Sequence, residues 1–231
     1  MKDLVILVAD IQQEKTIQTL LEERRHSLEL GPVTFDIFRH PNHDPGVYRE
    51  ASAFLATFIG QYRYALVLLD VAWEGSPGDA AEIEQIIQAD LDRRGWRGQS
   101  AVIALDPELE AWVWANSPHV PTELGMTWKQ IRELGERKGY WSPDTAKPAH
   151  PKELLEDVLY RTRKRRSSAL FMRLARRVGL AACQDAAFVR LRETLRAWFP
   201  AGATRNNRRP RGDLAVDQPI LNDPFEEVKR Q

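Results

Sequence analysis

Three carboxylic acids crowd one short stretch, Ala101–Ala115, which reads AVIALDPELEAWVWA and carries Asp106, Glu108 and Glu110. A second group closes the run Tyr64–Glu74, YALVLLDVAWE, with Asp70 at its end and Glu74 four residues on. A third follows the first apolar run, where Asp10 comes after Val8-Ala9 and Glu14 lies just beyond. Carboxylates are hard oxygen ligands of the kind Mg²⁺ and Mn²⁺ take, with water and substrate phosphate completing the shell. A site of that type supports phosphodiester chemistry, because the ion stabilises charge on phosphoryl oxygens and activates a water. The same acids have a structural reading. Asp106 fits an N-cap with Pro107 at the first helical position, and Glu108 and Glu110 in a first turn suit the helix dipole.

The acids can share an ion only if the strands before them end on one edge. Leu4–Val8 reads as a short buried strand. Gln12–Leu30 has helical apolar spacing and stops at Gly31-Pro32. Val33, Phe35 and Ile37 alternate with polar residues, which predicts a second strand, less buried or nearer an edge. His40–Gly46 reads as a loop, Val47–Tyr62 as a helix and Ala65–Leu69 as a strand. Asp79 is placed to cap a helix over Ala80–Arg94. Ala101–Leu105 is the fourth strand, and Pro107–Ala115 is expected to open the fourth helix. Four successive β–α units predict an α/β fold with a parallel sheet. Ligand and metal sites of such sheets lie where strands end and helices begin. Neither GxGxxG nor GxxxxGK[ST] occurs, so the usual cradles for nucleotide phosphate are missing.

Beyond Asn116 the pattern becomes helical, with segments expected over 127–138, 152–163, 169–178 and 185–198. Residues 1–138 are read as the α/β domain, 139–198 as a helical basic subdomain and 199–231 as a flexible tail with a short docking element at Ile220–Phe225. The chain has no net charge, yet residues 161–211 hold 15 Lys and Arg against two acids, leaving 18 basic and 31 acidic residues elsewhere. Arg161, Arg163, Lys164, Arg165 and Arg166 cluster at one helix end, and Arg173, Arg176 and Arg177 continue the run. Such a segment suits phosphate oxygens of nucleic acid or an acidic protein partner. Its plainer reading is a solvated face with cations at a helix C-terminus. His40, His43 and Asp44 form a further group; they suit a transition metal or a general base, or else are exposed turn residues. Trp73 lies beside the proposed site and can stack on a base; Trp112 and Trp114 point to different faces, and packing is the default for all three. Cys183, the sole cysteine, follows apolar GLAA and reads as a small core residue.

A hydrophobic content of 43% with 29% charged residues describes an ordinary globular chain, and no apolar run approaches a membrane span. The N-terminal run is too short for a signal peptide, and a single cysteine excludes an intrachain disulfide. A reducing cytoplasm, with no membrane partner, is therefore expected.

A strand ending in an acid, followed by a strand–helix junction reading DPELEAW within four β–α units, resembles the Toprim family. It resembles more closely the small bacterial Toprim-like proteins encoded near phage-defence genes. The likeness covers about Met1–Ala115, and a helical part like 147–198 often follows in such proteins. It implies a defence protein that nicks or cleaves nucleic acid with Mg²⁺ or Mn²⁺. Asp70, Glu14 and Glu108 are then the expected catalytic residues, and Asp70, Asp10, Glu74, Glu108 and Glu110 the expected metal ligands. The family carries Glu-Gly after strand one and Asp-x-Asp after strand three. Here Asp10 and Asp70-Val71-Ala72 stand at those places, and Glu74 is the acid left to replace the second aspartate. Two further readings stand beside it, the first from these departures and the second from the histidine group. One is a catalytically degenerate subunit of a defence complex that binds nucleic acid or partner proteins. The other is a metal-free RNA-cleaving enzyme using His40 and His43.

Overall fold

Leu4, Val5, Ile6, Leu7 and Val8 expose no surface at all. A strand that is apolar on both sides needs a cover on both faces, and that is the arrangement of this sheet. The structure, a computed structural model, describes residues 1–179 and 183–202. Four strands, β1 (Lys2–Val8), β2 (Phe35–Arg39), β3 (Tyr62–Asp70) and β4 (Ser100–Leu105), form one sheet in the order β2-β1-β3-β4. All three pairings are parallel. The alternating strand β2 lies at an edge, as its half-polar pattern predicts.

The helices divide by the direction in which the chain moves. The first, α1 (Ile11–Glu23), carries the chain from β1 out to β2. Then α2 (His43–Ala56) and α3 (Ala80–Leu91) carry it back the other way. Right-handed crossovers in opposite directions place helices on opposite faces. One apolar cluster accordingly joins Val5, Leu7, Val67 and Leu69 to Val47 and Leu55 of α2 and Ile83 and Ile87 of α3. The other joins Leu4, Ile6, Leu66 and Leu68 to Ile17, Leu20 and Leu21 of α1. Each fully buried side chain of this kind contributes about 1.5–3 kcal/mol.

After β4 come α4 (His119–Leu124), α5 (Trp128–Lys138), α6 (Pro151–Arg161), α7 (Ser168–Arg177) and α8 (Ala186–Trp198). Phe171 and Leu174 of α7 and Leu191 and Leu195 of α8 enter the same cluster as α1, so one core runs from the sheet into the later helices. Thr127, Ser167 and Asp185 cap α5, α7 and α8 through their side chains. Asp185 also accepts from the Trp112 indole (2.9 Å) and from Lys147 (2.7 Å). Cys183 is partly buried against this core, and burial pushes its thiol pKa up. No helix among the described residues is long and apolar enough to cross a membrane.

Several sequence expectations are corrected. The first helix ends at Glu23, not Leu30. Leu28 and Leu30 still reach the core, from a turn that meets the chain's far end: Gly31 donates to the Phe199 carbonyl, and Leu30 bridges Pro200. Phe199 is itself 6% exposed. The expected docking element at Ile220–Phe225 lies outside the described residues. The second helix begins at His43, inside the expected loop, and Tyr62 belongs to β3. The expected fourth helix is only a 3₁₀ turn, Leu109–Trp112. Asp106 is exposed and caps nothing, and its bond to Pro107 is cis. The Pro107 carbonyl accepts from Val71 (3.0 Å) and Ala72 (2.9 Å), so the chain is stitched to the end of β3 where a helix would have to rise away from it.

Candidate metal centre

The strand order reverses between β1 and β3, and the crevice at their C-terminal ends is where open α/β sheets place their ligands. Leu7 pairs with Val67, so Asp10 and Asp70 each stand three residues beyond one rung. Asp70 also pairs with Leu105, and the turn carrying Glu108 and Glu110 starts just after it. The result is a group in which Asp70, Glu108 and Glu110 each offer an oxygen within 4.8 Å of the others. Asp70 is partly exposed, and the two glutamates are buried.

Each carboxylate is held from a different part of the chain. Asp70 Oδ1 accepts from Gln13 Nε2 (2.9 Å) and from the Leu109 backbone N–H (3.0 Å). The Gln13 amide is oriented by its other end, because Oε1 accepts from Ala9 N–H (2.9 Å). The Asp70 backbone N–H donates to Asp44 Oδ1 (2.8 Å). Glu108 Oε1 accepts from the backbone N–H of Lys152 (3.0 Å) in the first turn of α6, where the helix dipole favours an anion. The Lys152 ammonium lies 3.9 Å from Glu108 Oε2. Glu110 is paired with Arg166.

Negative charge is in surplus. Asp10, Asp44, Glu108 and Glu110 all act on Asp70, and the cations bonded to the triad are Arg166 and Lys152. Burial first, then Asp44, Glu110, Asp10 and Glu108, push the Asp70 carboxyl well above the ordinary carboxylate range. Burial and Glu110 push Glu108 up to about 7, with Lys152 pulling the other way. Burial raises Asp44 as well. Three converging carboxyl groups short of positive charge fit a divalent cation, which takes oxygen ligands of this kind and lowers the repulsion among them. The group can therefore hold a metal ion.

No family model, curated protein or solved structure matches the chain.

The structure separates the sequence-predicted site residues. Asp70, Glu108 and Glu110 come together. Glu14 does not join them: it pairs with Lys15 (2.8 Å) and Arg39 (2.7 Å), because its place in the first turn of α1 turns it toward β2. Asp10 lies at the rim, but its carboxylate accepts from Gln13 N–H (2.8 Å) and caps α1. Glu74 is exposed on the turn after β3 and lies outside the triad. Trp73 packs on Tyr48 of α2, with ring centroids 5.6 Å apart. His40 is 4% exposed rather than in open solvent: its Nδ1 accepts from Asn42 N–H (3.2 Å), and its Nε2 lies 3.3 Å from Glu50. His43 is exposed at the start of α2 with φ 51°, its Nδ1 3.2 Å from the Ala9 carbonyl oxygen.

The eight predicted cationic residues do not form one open face. Arg173 (2.8 Å) and Arg177 (2.9 Å) both grip Glu123, Arg176 pairs with Glu23 (2.6 Å), Arg166 with Glu110, and the Lys164 ammonium donates to the Glu123 carbonyl. Arg161, Arg163 and Arg165 are exposed and form no ion pair among the described residues. Gln13 was missed by sequence reasoning. Its signal was an Asp-x-x-Gln at the head of a helix, a capping pattern that puts a second polar side chain beside a strand end.

Proposed function

We propose that this protein carries out Mg²⁺- or Mn²⁺-dependent phosphodiester chemistry on nucleic acid, as a Toprim-like nicking or cleaving enzyme of the phage-defence type. The observation that supports this reading most is the approach of Asp70, Glu108 and Glu110 to within 4.8 Å at the switch point of a parallel sheet. The three carboxylates would hold the ion, and Gln13 with the Leu109 N–H would aim Asp70 by occupying its Oδ1. When bound, a divalent cation supplies charge stabilisation to phosphoryl oxygens and a water acidified toward neutrality. Arg161, Arg163 and Arg165, on and beside the loop that bears Arg166, would hold the phosphate backbone next to that ion. Purified protein is expected to nick plasmid with Mn²⁺ and not in EDTA, and Asp70→Ala is expected to abolish nicking. Full activity of Asp70→Ala overturns the reading.

A second reading has its own support. Glu110 is already paired with Arg166, and Glu108 accepts from the Lys152 N–H at the start of α6 with the Lys152 ammonium 3.9 Å away. A triad so braced also suits a scaffold that binds nucleic acid or a partner protein without cutting. Nucleic-acid binding that survives Asp70→Ala, with no cleavage under any divalent metal, would select it.

A further inference from the structure

The cationic loop and the acidic triad share one residue. Arg166 lies in the connection 162–167 between α6 and α7, next to exposed Arg165 and close in sequence to Arg161 and Arg163. Its Nη2 donates to Glu110 Oε1. The two partners differ sharply in burial: the Glu110 side chain is 2% exposed and that of Arg166 is 32% exposed. The guanidinium carbon sits 5.8 Å from the centroid of the Phe171 ring, at the start of α7. The backbone around Arg166 is pinned on both sides. Lys164 is tied to the Glu123 carbonyl, and Ser167 caps α7 by accepting from Leu170 N–H (3.3 Å). The neighbours of Arg166 are thus anchored, while its own side chain stays 32% exposed.

Glu110 cannot be left alone, because a buried carboxylate needs a counter-charge. Arg166 supplies it now. A divalent cation among Asp70, Glu108 and Glu110 would supply it instead, and would repel a guanidinium at the same carboxylate. The displaced side chain is long, partly exposed already, and next to Arg165. We propose that Arg166 is a latch: it neutralises Glu110 while the triad is metal-free, and on cation binding it swings out to join Arg161, Arg163 and Arg165 on a polyanion. This rests on the metal-site reading above and assigns that site a regulation. The linkage is reciprocal. Cation binding strengthens polyanion binding and polyanion binding strengthens cation binding, by one common factor.

The test measures Mn²⁺ binding by calorimetry with and without a single-stranded DNA oligonucleotide, and oligonucleotide binding by anisotropy with and without Mn²⁺, at constant ionic strength. In the unaltered protein each ligand is expected to tighten the other about fivefold or more. Arg166→Gln is expected to bind Mn²⁺ alone more tightly than the unaltered protein and to lose the mutual enhancement. Glu110→Gln removes the ligand and frees the guanidinium. It is expected to bind the oligonucleotide more tightly without metal and to show no enhancement. Equal or weaker Mn²⁺ binding by Arg166→Gln overturns the latch, as does enhancement that persists in it. Should Arg166→Gln fail to fold, Glu110→Gln decides, and no gain in its metal-free oligonucleotide affinity overturns the proposal. Failure of the underlying site has a different signature: neither the unaltered protein nor Arg166→Gln then binds Mn²⁺ at millimolar concentration. Normal Mn²⁺ binding without coupling removes the latch alone.

Discussion

Glu123 and Glu110 are both buried carboxylates, and both are met by arginines from the segment around α7. At Glu123 one carboxylate receives Arg173 and Arg177, and Lys164 takes the carbonyl of the same residue. At Glu110 one arginine serves a carboxylate that has Asp70 and Glu108 within 4.8 Å. The first cluster has more positive than negative charge and is closed by its own side chains. The second has the reverse balance and stays short of cations. A cluster that closes on itself fastens α4 to α7. One with unmatched charge of a single sign is fitted to take something from outside. The difference lies in how many acids the sheet edge brings to one place.

The sharpest way to break this comparison is to remove an acid from the second cluster. Asp70→Asn is expected to weaken Mn²⁺ binding by more than the roughly 10–100-fold that loss of an outer-shell partner costs, read by calorimetry. Its melting temperature without metal is expected to hold or rise, since a repelled buried charge is gone. A clear fall in metal-free stability would mark Asp70 as a staple like Glu123. Gln13→Ala comes next. It strips Asp70 of one donor and leaves the Ala9 N–H unpaired, so urea unfolding should show a loss of about 1–3 kcal/mol. Mn²⁺ affinity should drop about tenfold in parallel. Glu123→Gln tests the other side. Arg173 and Arg177 are 45% and 55% exposed and can turn to water, so the expected loss is about 1–2 kcal/mol, below that of a fully buried pair, with Mn²⁺ binding unchanged. Altered Mn²⁺ affinity in this variant would erase the distinction between the clusters.

The smallest effect is in pH. The Glu108 carboxyl is raised from 4.5 to about 7, so between those values the folded protein keeps a proton that the unfolded chain has released. Stability from this group therefore falls as pH rises across that window. Asp70 is raised too and acts with the same sign. Metal-free protein is expected to lose more melting temperature than Glu108→Gln between pH 4.5 and 7, as measured by calorimetry. Equal slopes in the two proteins would mean that Glu108 carries no such strain.

Much of the sheet was legible because local patterns carry it. The unbroken apolar runs of β1 and β3 marked strands covered on both faces, and the alternation at Phe35 and Ile37 marked an edge. Asp79 announces a helix start through a side chain that caps within one turn. The stretch after β4 departs from its local pattern: DPELEAW satisfies every local rule for a helix start, yet it forms only a 3₁₀ turn. Only the tie from Val71 and Ala72 to the Pro107 carbonyl shows that the chain stays against β3. His40 looked like an exposed turn residue because its neighbours are polar. Packing against Gly46 buries it, and a Cβ there would lie 2.1 Å from His40 Nδ1.

By itself the sequence determined where charge and apolar surface recur, and so which segments are strands, which end in acids and where the arginines concentrate. Tertiary structure alone decided which acids meet and which cations reach them. Glu14 and Asp70 follow neighbouring strands with the same kind of signature, yet one faces Arg39 and the other Glu108 and Glu110. The reason is physical. Periodicity reports burial one residue at a time, whereas the partner of a charge depends on strand order, on register and on how helices remote in sequence cross the sheet edge.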